Sequence, residues 1–414
     1  MKRFIAGLTF ALTLTATAHA QEYQTVSQLR ESVPARWTTK VETKWRDVDI
    51  DAEIVTPDVE TIPVMKVGYD LHHALLTPEE SGWDEVDDTY DVNGLILCQD
   101  ADKGKPPRKI DGKKVGNGKV TGIWHDISEP DRAYIPMCDV TYSEMIDMIR
   151  AELTRFGYPP EDFNFTTPNR IQLTQWYFAG TTENAAPGYL IMDFYPKLNG
   201  ITIYAHILDV VRNTRGERRR EDGFRDNLRT STCYDGIMGC MSDLCIRHLL
   251  PIETMAEDVP LCSFDMIQKS LEQEIKKGRV RKIYEISLGY VLYCEPGAYH
   301  EWGQNADYSS IFYDVKPMWR VNCLQASSAQ AALEEFYEND ERNSLAYTQM
   351  LVDAQTGEII GQSDAADRSM FPGFLTWEDV NKQKSKAGAK KLPLFVLRKR
   401  KLEKSGRKAR RGSL

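Results

Sequence analysis

The residues best suited to covalent chemistry lie near the middle of the chain. Cys245 and His248 are three residues apart, close to Asp243. A nucleophilic cysteine needs a neighbouring base, and helical spacing would bring this thiol and this imidazole together. The pattern is therefore compatible with a Cys/His hydrolase. We favour a structural interpretation, because Cys245 belongs to a cluster of three cysteines with Cys233 and Cys240.

Carboxylate pairs and sequence motifs give no stronger indication of catalysis. Glycoside chemistry needs two carboxylates facing each other across a cleft. Asp84/Glu85 and Asp87/Asp88 are candidates, but adjacent acids are more often a solvated face, which is the interpretation we favour. The chain has no H-E-x-x-H, G-x-S-x-G, P-loop or G-x-G-x-x-G motif. We therefore predict no catalytic residue, no metal site and no cofactor.

Aromatic residues are concentrated in two segments. Such side chains either form a stacking platform for sugars or peptides, or fill a core and pair across strands. We expect the second role for both groups. The residues are Trp176, Tyr177 and Phe178 in the first group, and Tyr290, Tyr293, Tyr299 and Trp302 in the second.

The first twenty residues have the composition of a secretion signal. Lys2 and Arg3 provide positive charge, an apolar stretch follows, and Ala18-His19-Ala20 forms a small-residue cleavage site. We expect cleavage after Ala20; retention of the apolar stretch as an N-terminal anchor is the alternative. No later stretch is apolar for long enough to cross a bilayer. We therefore expect an extracytoplasmic, surface-associated protein with no transmembrane span after cleavage.

All eight cysteines follow this signal segment, which affects how they are interpreted. Secreted proteins form disulfides, and an even number of cysteines fits that chemistry. A metal site is less favoured, because the spacing Cys233-x6-Cys240-x4-Cys245 lacks the C-x2-C pattern of structural zinc sites. Buried free thiols are the third interpretation. The candidate disulfide cysteines are Cys98, Cys138, Cys233, Cys240, Cys245, Cys262, Cys294 and Cys323.

Charge is distributed unevenly along the chain. The formal net charge is −9, but residues 382–414 contain 14 Lys or Arg and one acid, so the remainder has a net charge near −22. Outside a cell, a basic segment meets anionic lipid head groups or wall polymers. The alternatives are a solvated tail and a tail folded onto the acidic body. The predicted anionic-surface contacts are Arg398, Lys399, Arg400, Lys401, Lys404, Arg407, Lys408, Arg410 and Arg411.

A repeated pattern of helix and strands predicts the fold. Thr141 and Glu144 form a capping box at the start of a helix that ends at Gly157, and Ser263 precedes a second helix that ends at Gly278. Alternating apolar residues predict strands after each helix. These strands are 171–179, 189–195 and 201–211, then 283–294, 310–315 and 319–324, with a further helix at 328–337 and a last strand at 347–352.

We therefore predict an α+β fold built of repeated units, each a helix packed on an antiparallel sheet. The N-terminal part contains a strand at 48–54 and an exposed loop at 98–119. The predicted parts are a signal peptide at 1–20, a mostly β region at 21–134, two units at 135–258 and 259–381, and a basic disordered tail at 382–414. The cysteine before the second helix, Cys262, is a candidate partner of Cys294 or Cys323.

The end of the second unit carries a family resemblance. Asp353-Ala354-Gln355-Thr356-Gly357-Glu358 forms a turn, and Ile359-Ile360 begin a return strand. This segment resembles the end of PepSY-type domains of secreted and membrane-attached bacterial proteins. Asn199-Gly200-Ile201 is similar to the sheet of extracytoplasmic regulators that restrain a cell-wall sensor kinase. Asp51-Ala52-Glu53-Ile54-x-x-Pro57 resembles largely uncharacterised envelope proteins of gut-type Gram-positive bacteria.

The resemblance implies binding or inhibition of a partner rather than catalysis. The chain departs from these proteins because it has no lipobox and has more cysteines than is usual for that group. We expect a cell-envelope binding or regulatory protein whose partner is an envelope protein, a wall polymer or an anionic lipid, and not a nucleic acid. The alternatives are a secreted hydrolase with an unrecognised active site and a passive structural component of the envelope.

Overall fold

The computed structural model describes residues 23–69, 84–85, 95–98, 109–116, 119–124, 141–165, 170–186, 189–206, 230–235, 240–246, 248–294, 312–326, 345–360 and 372–387. Several predictions fall on other parts of the chain and so lie outside the described residues. These are the signal segment, the helix at 328–337, the basic residues from Arg398 to Arg411, Cys138, Asp87/Asp88, Tyr299 and Trp302.

Short helices alternate with many strands along the chain. The helices are α1 (Val26–Ser32), α2 (Tyr142–Arg155), α3 (Phe264–Ile275) and α4 (Trp377–Ala387), with one turn of 3₁₀ helix at Pro160–Asp162. The strands in the first half are β1 (Tyr23–Gln24), β2 (Arg36–Glu42), β3 (Asp47–Val55), β4 (Val64–Tyr69), β5 (Asp84–Glu85), β6 (Leu95–Cys98), β7 (Lys109–Ile110), β8 (Lys113–Lys114), β9 (Lys119–Trp124), β10 (Phe163–Asn164), β11 (Arg170–Tyr177), β12 (Asn184–Ala186), β13 (Tyr189–Leu198) and β14 (Ile201–His206). Those in the second half are β15 (Thr230–Asp235), β16 (Cys240–Ile246), β17 (Leu249–Ala256), β18 (Leu261–Cys262), β19 (Val280–Cys294), β20 (Phe312–Ala326), β21 (Leu345–Asp353) and β22 (Ile359–Ile360).

The first sheet is built around the long antiparallel pair β19–β20. At one end, β2 and β3 extend it beyond β19, while β21 and β22 extend it beyond β20. At the other end, β14 lies beside β19, β4 lies beside β20, and β17 lies beyond β4. The pairings of β19 with β3 and β14 are parallel, so this sheet is mixed rather than antiparallel throughout.

The second sheet has the order β9-β11-β13-β15-β16-β6-β5 and is antiparallel. Strand β13 continues into the hairpin with β14, which belongs to the first sheet. The turn of that hairpin is Asn199-Gly200, with φ of 51° and 78°. Both values lie in the left-handed region that this dipeptide favours in two-residue hairpins, so the predicted turn is confirmed and joins the two sheets.

One face of the first sheet carries the main apolar core. Helix α3 buries Phe264, Ile267, Leu271 and Ile275, which recur at helical spacing. The ring of Phe264 lies 5.2 Å from that of Trp319 on β20. Because burial of such side chains is the main favourable term in folding, this helix and sheet form the stable centre of the molecule.

Several sequence predictions of local structure are confirmed. Thr141 and Glu144 form a reciprocal capping box at the start of α2, and these hydrogen bonds lower the pKa of the Glu144 carboxyl. The alternation in β3 gives buried Val48, Ile50, Ala52 and Ile54. The α+β class is also confirmed. Among the described helices, none is both long enough and apolar enough to cross a membrane.

Two predictions of local structure were wrong. Residues 312–315 and 319–324 belong to one strand, β20, which runs through Pro317. Proline cannot donate a ladder hydrogen bond, but Pro317 lies where the neighbouring strand changes. Along β20, the pairing with β4 stops at Val315 and the pairing with β21 starts at Met318. The loop predicted at 98–119 contains the hairpin β7–β8.

Candidate functional site

The second face of the first sheet carries buried charge. Strand register places Ser287 of β19 opposite Arg320 of β20, and Met318 opposite Asp353 of β21. Lys316 precedes Met318 by two residues and therefore shares this face. The exposed fractions of Lys316 and Arg320 are 0% and 1%. Buried charges are costly unless they are paired and hydrogen-bonded, so their partners matter.

Arg320 is held between the two sheets. Its guanidinium pairs with Glu285 and donates to Ser287 Oγ at 3.4 Å and to the Tyr195 hydroxyl at 2.6 Å. It also lies 5.2 Å from the centre of the Tyr195 ring and 4.1 Å from that of Tyr204. Burial opposes its charge, but the neighbouring hydroxyls and carboxylate raise the pKa of Arg320 above its ordinary value. Arg320 is therefore charged and joins β20 to the β13–β14 hairpin.

Lys316 is neutralised by Asp353. The other carboxylate oxygen of Asp353 accepts backbone N–H groups of Gln355 and Thr356 at 2.8 and 3.1 Å. Gly357 has a φ of 70°, which glycine adopts without strain. The predicted turn after Asp353 is thus confirmed, and it is tied to the buried ion pair.

Gln355 extends that turn into a clamp between distant segments. Its amide nitrogen donates to the carbonyl oxygens of Pro260 and Leu375, and its amide oxygen accepts from the Leu375 N–H at 3.0 Å. The residues that carry the PepSY resemblance therefore have a structural role in this chain.

A cleft of about 390 Å³ opens beside the β13–β14 hairpin. Three apolar positions form part of its lining: Pro160 in the 3₁₀ turn, Phe163 on β10 and Phe165 after it. Phe163 and Phe165 pack against Phe194 of β13, with ring centres 5.8 and 4.9 Å apart. The cleft is also lined by Arg150, Glu161, Asn164, Lys197, Gly200 and Thr202.

The polar groups of the cleft come from five different elements. Arg150 lies on α2, where its guanidinium stacks 5.3 Å from the Phe165 ring and pairs with Asp147 at 3.3 Å. Asn164 of β10 donates to Thr202 Oγ1 of β14 at 3.0 Å. Among the described residues, no ion pair involves Lys197 or Glu161, and these two opposite charges face the open space of the cleft.

The His248 side chain contacts residues next to this cleft. Its Nε2 is 3.0 Å from Asp162 Oδ2, and its ring is close to those of Tyr158 and Phe163, at 5.6 and 6.1 Å. Cys245 is on strand β16, so the helical spacing proposed for the Cys/His pair was wrong. His248 is buried and holds the 3₁₀ turn that supplies Glu161 to the cleft.

The proposed pairings of Cys262 were wrong, since its thiol is free and buried. Cys262 N donates to Ala354 O, at the end of β21 next to Asp353. Asp353 lies opposite Met318 of β20. Cys323 is five residues from Met318 in one direction along β20, and Tyr313, which lies opposite Cys294, is five residues away in the other. At about 3.3 Å per residue, both positions are about 16 Å from the end of β21 and hence from Cys262, whereas a disulfide needs Cα atoms within about 7 Å.

Cysteines of the second sheet show a pattern that their spacing in sequence concealed. Cys98, Asp243 and Cys233 occupy opposite positions on the adjacent strands β6, β16 and β15. Cys98 and Cys233 are thus two strand spacings apart, about 10 Å, which is beyond the reach of about 7 Å for a disulfide. Among the side chains that the structure describes, no group of His, Cys, Asp and Glu is arranged to hold a metal ion.

The remaining candidates have ordinary positions. Asp84 and Glu85 form the short strand β5. Tyr290 and Tyr293 are buried, as expected for core residues, and the Tyr290 hydroxyl donates to Pro63 O at 2.7 Å. Trp176, Tyr177 and Phe178 are half-buried at the end of β11.

Sequence reasoning missed the residues of the cleft and of the buried network. Lys316 and Arg320 alternate with apolar Val315, Trp319 and Val321. This period of two is typical of a strand with one solvated face. The charged face is instead buried. The only sign of this in the sequence is the high density of charged residues within a long strand. The cleft residues Arg150 and Lys197 carry no local signal.

Comparisons with known proteins do not assign a family. No family model matches the chain, and no curated protein matches it. Among solved structures, the chain is similar to an uncharacterized protein from Eubacterium rectale ATCC 33656, with a TM-score of 0.44 and 13% sequence identity. The match covers 79% of this chain and 94% of that one. The PepSY resemblance stays a prediction.

Proposed function

We propose that the protein is a secreted cell-envelope binding protein whose folded body takes a ligand in the cleft beside the β13–β14 hairpin. The observation that carries this proposal is which charged side chains have an ion-pair partner inside the protein. Lys316 and Arg320 are each paired with a carboxylate. Lys197 and Glu161 instead face a concave space and form no ion pair with any described residue. A cleft with a few convergent polar groups on an apolar floor is the usual form of a small-molecule site.

The elements around the cleft favour a preformed site. Arg150 is on a helix with a full capping box, Lys197 and Thr202 face each other across a two-residue hairpin, and Asn164 is hydrogen-bonded to Thr202. Groups held in place before binding lose less conformational entropy when the ligand arrives. This rigidity supports binding as the role of the folded body.

The test is retention of a small molecule from envelope extract. Mature protein is dialysed against the extract and analysed by native mass spectrometry. We expect a discrete adduct with the wild type, and loss of that adduct with Arg150→Ala/Lys197→Ala. The matched control, Lys269→Ala/Lys276→Ala on exposed positions of α3 and its C-cap, should keep it. An adduct that survives the cleft substitutions would contradict the proposal.

We further propose that the basic tail holds this body at an anionic surface, either wall polymer or lipid. The acidic body alone is repelled from such a surface, whereas the tail supplies a dense run of Lys and Arg. Each basic residue near an anionic membrane contributes about 1 kcal/mol. The tail thus provides location, and the cleft provides specificity.

The finer description of the fold, two repeated helix-on-sheet units, is also a proposal. It is supported by the matching ends of α2 and α3, which are followed by Gly157 and Gly278 with φ of 85° and 84°. Each helix then leads to antiparallel strands. A structural superposition of residues 141–206 on 263–326 tests it, and strands that pair in a different order would contradict it.

A secreted hydrolase is the second candidate, favoured by one observation. The contact between His248 Nε2 and Asp162 Oδ2 at 3.0 Å is of the kind that orients the base of a hydrolytic triad. Its test is hydrolysis of peptide, ester and glycan substrates by the wild type, by His248→Ala and by Asp162→Asn. Activity that both substitutions abolish would support the hydrolase and overturn the purely binding role.

A further inference from the structure

We propose that the cleft ligand is a free acidic amino acid, with one ammonium group and two carboxylates. This inference rests on the proposed function, since it names the ligand class of the same cleft. It follows from the number, sign and placement of the charged groups that line the cleft.

The two cations of the lining, Arg150 and Lys197, call for anionic groups on the ligand. Lys197 is half-buried on β13 and is the point charge. The guanidinium of Arg150 lies over the Phe165 ring, and its fork matches a carboxylate. Asp147, an exposed carboxylate one turn earlier on α2, contacts the Arg150 Nη1 atom at 3.3 Å. Because the two cations are on separate residues, a ligand with two carboxylates matches them better than a ligand with one.

Glu161 calls for a positive group on the same ligand. It is exposed on the 3₁₀ turn, next to Asp162, which His248 holds in place. A simple dianion would be repelled by this carboxylate, whereas an ammonium group would be attracted to it. The Asn164–Thr202 pair adds neutral hydrogen-bonding groups to the same lining.

The size of the space fits a small ligand. A volume of about 390 Å³ lies near the lower end of the range of roughly 300–1,000 Å³ for small-molecule sites. Phe163 and Phe165 are 2% and 4% exposed, so they form a floor rather than a broad stacking surface. A compact polar ligand therefore suits the cleft better than a polysaccharide chain.

The test compares three probes by isothermal titration of the mature protein. L- or D-glutamate carries all three charged groups, glutarate lacks the ammonium, and alanine lacks the second carboxylate. A hydrogen bond to a charged group contributes roughly ten- to hundredfold in affinity. We expect glutamate to bind at least tenfold tighter than either glutarate or alanine.

Two conservative variants assign each group. Glu161→Gln should bring glutamate and glutarate to equal affinity, because the partner of the ammonium is lost. Lys197→Met should reduce glutamate binding at least tenfold and narrow its advantage over alanine. Glu31→Gln, on the exposed side of α1, is the matched control and should change nothing.

The outcomes separate this inference from the proposed function. Equal binding of glutarate and glutamate, unaffected by Glu161→Gln, would overturn the zwitterion and leave an anion-binding cleft. Failure of all three probes, with an extract component still lost on Arg150→Ala/Lys197→Ala, would overturn the ligand class alone. No cleft-dependent ligand in either experiment would overturn both.

Discussion

Arg320 shows how a single residue joins the two sheets. Its charge is matched by Glu285, its polar atoms reach Ser287 and Tyr195, and its plane stacks on Tyr204. We expect Arg320→Met to lower the free energy of unfolding by about 3–5 kcal/mol, the usual loss when one partner of a buried pair is removed. Urea denaturation followed by circular dichroism measures this.

A double substitution distinguishes charge from packing. In Arg320→Met, the Glu285 carboxylate is left without its cation although it is only 12% exposed. If this unpaired charge causes the loss of stability, Arg320→Met/Glu285→Leu should be more stable than Arg320→Met. Buried pairs are often replaced by apolar residues at little cost. Equal stability of the single and double variants would show that the lost stacking on the tyrosines is the larger effect.

Cys262 gives the molecule a defined response to alkaline pH. Burial, with a smaller contribution from Asp353, raises the pKa of this thiol from 9.0 to about 12. Above pH 9 the unfolded chain releases a proton that the folded chain retains, so stability falls as pH rises from about 9 to 12. Cys262→Ala should flatten this fall, measured as urea midpoints from pH 8 to 11.

The remaining slope of that variant is also informative. Burial raises the pKa of Tyr23 and of Tyr204 from 10.0 to about 12, so they contribute in the same direction above pH 10. Cys262 should also resist alkylation in the folded protein at pH 8, because its thiol is buried and protonated. Rapid native alkylation, or an unchanged slope in Cys262→Ala, would contradict this account.

At the scale of elements, the approach of β14 to β19 depends on Gly289. A Cβ atom at this position would lie 2.5 Å from both Thr202 O and the Tyr204 ring. Such a contact forces strands apart, and overpacking costs typically about 1–3 kcal/mol. We expect Gly289→Ala to lower the free energy of unfolding, measured by urea denaturation, by at least about 2 kcal/mol. The same substitution should weaken ligand binding in the cleft that Thr202 lines.

Lys282→Ala on the same strand is the control for that substitution. Lys282 is exposed, and surface changes usually stay within about 0.5 kcal/mol. If Gly289→Ala is as stable as Lys282→Ala, the close approach of β14 is not needed for the fold.

Local patterns predicted the elements more reliably than their arrangement. The capping box of α2, the alternation of β3 and the Asn199-Gly200 turn depend on neighbouring residues only, and each is present. The continuity of β20 was missed because proline ordinarily ends a strand. What permits Pro317 is the exchange of β4 for β21 beside it, and that exchange depends on residues far away in sequence.

The cleft was unpredictable for the same reason, at the scale of the whole molecule. Its charged residues come from α2, from the 3₁₀ turn and from β13, and each resembles an ordinary surface residue in its own segment. Only the pairing of β10 and β14 with β13 brings them together. The acidic body and basic tail, by contrast, follow from composition alone and lead to a prediction about the intact chain.

Removal of the tail should separate location from folding. The predicted boundary at residue 382 falls inside α4, which is anchored by a hydrogen bond from Trp377 Nε1 to Asp258 Oδ2 at 2.9 Å. Deletion of residues 388–414 spares this helix. We expect unchanged urea stability but roughly 100-fold weaker binding to anionic vesicles, since a few basic contacts of about 1 kcal/mol each suffice for that difference. Binding of the full chain should weaken as salt concentration rises, and neutral vesicles should bind neither form.

A charge-preserving variant, Leu394→Ser/Phe395→Ser, tests the apolar segment Leu392–Leu397 that precedes the basic run. If that variant loses binding as fully as the deletion, shallow insertion rather than charge holds the protein at the surface. If the deletion leaves binding unchanged, the acidic body itself must carry the surface contact.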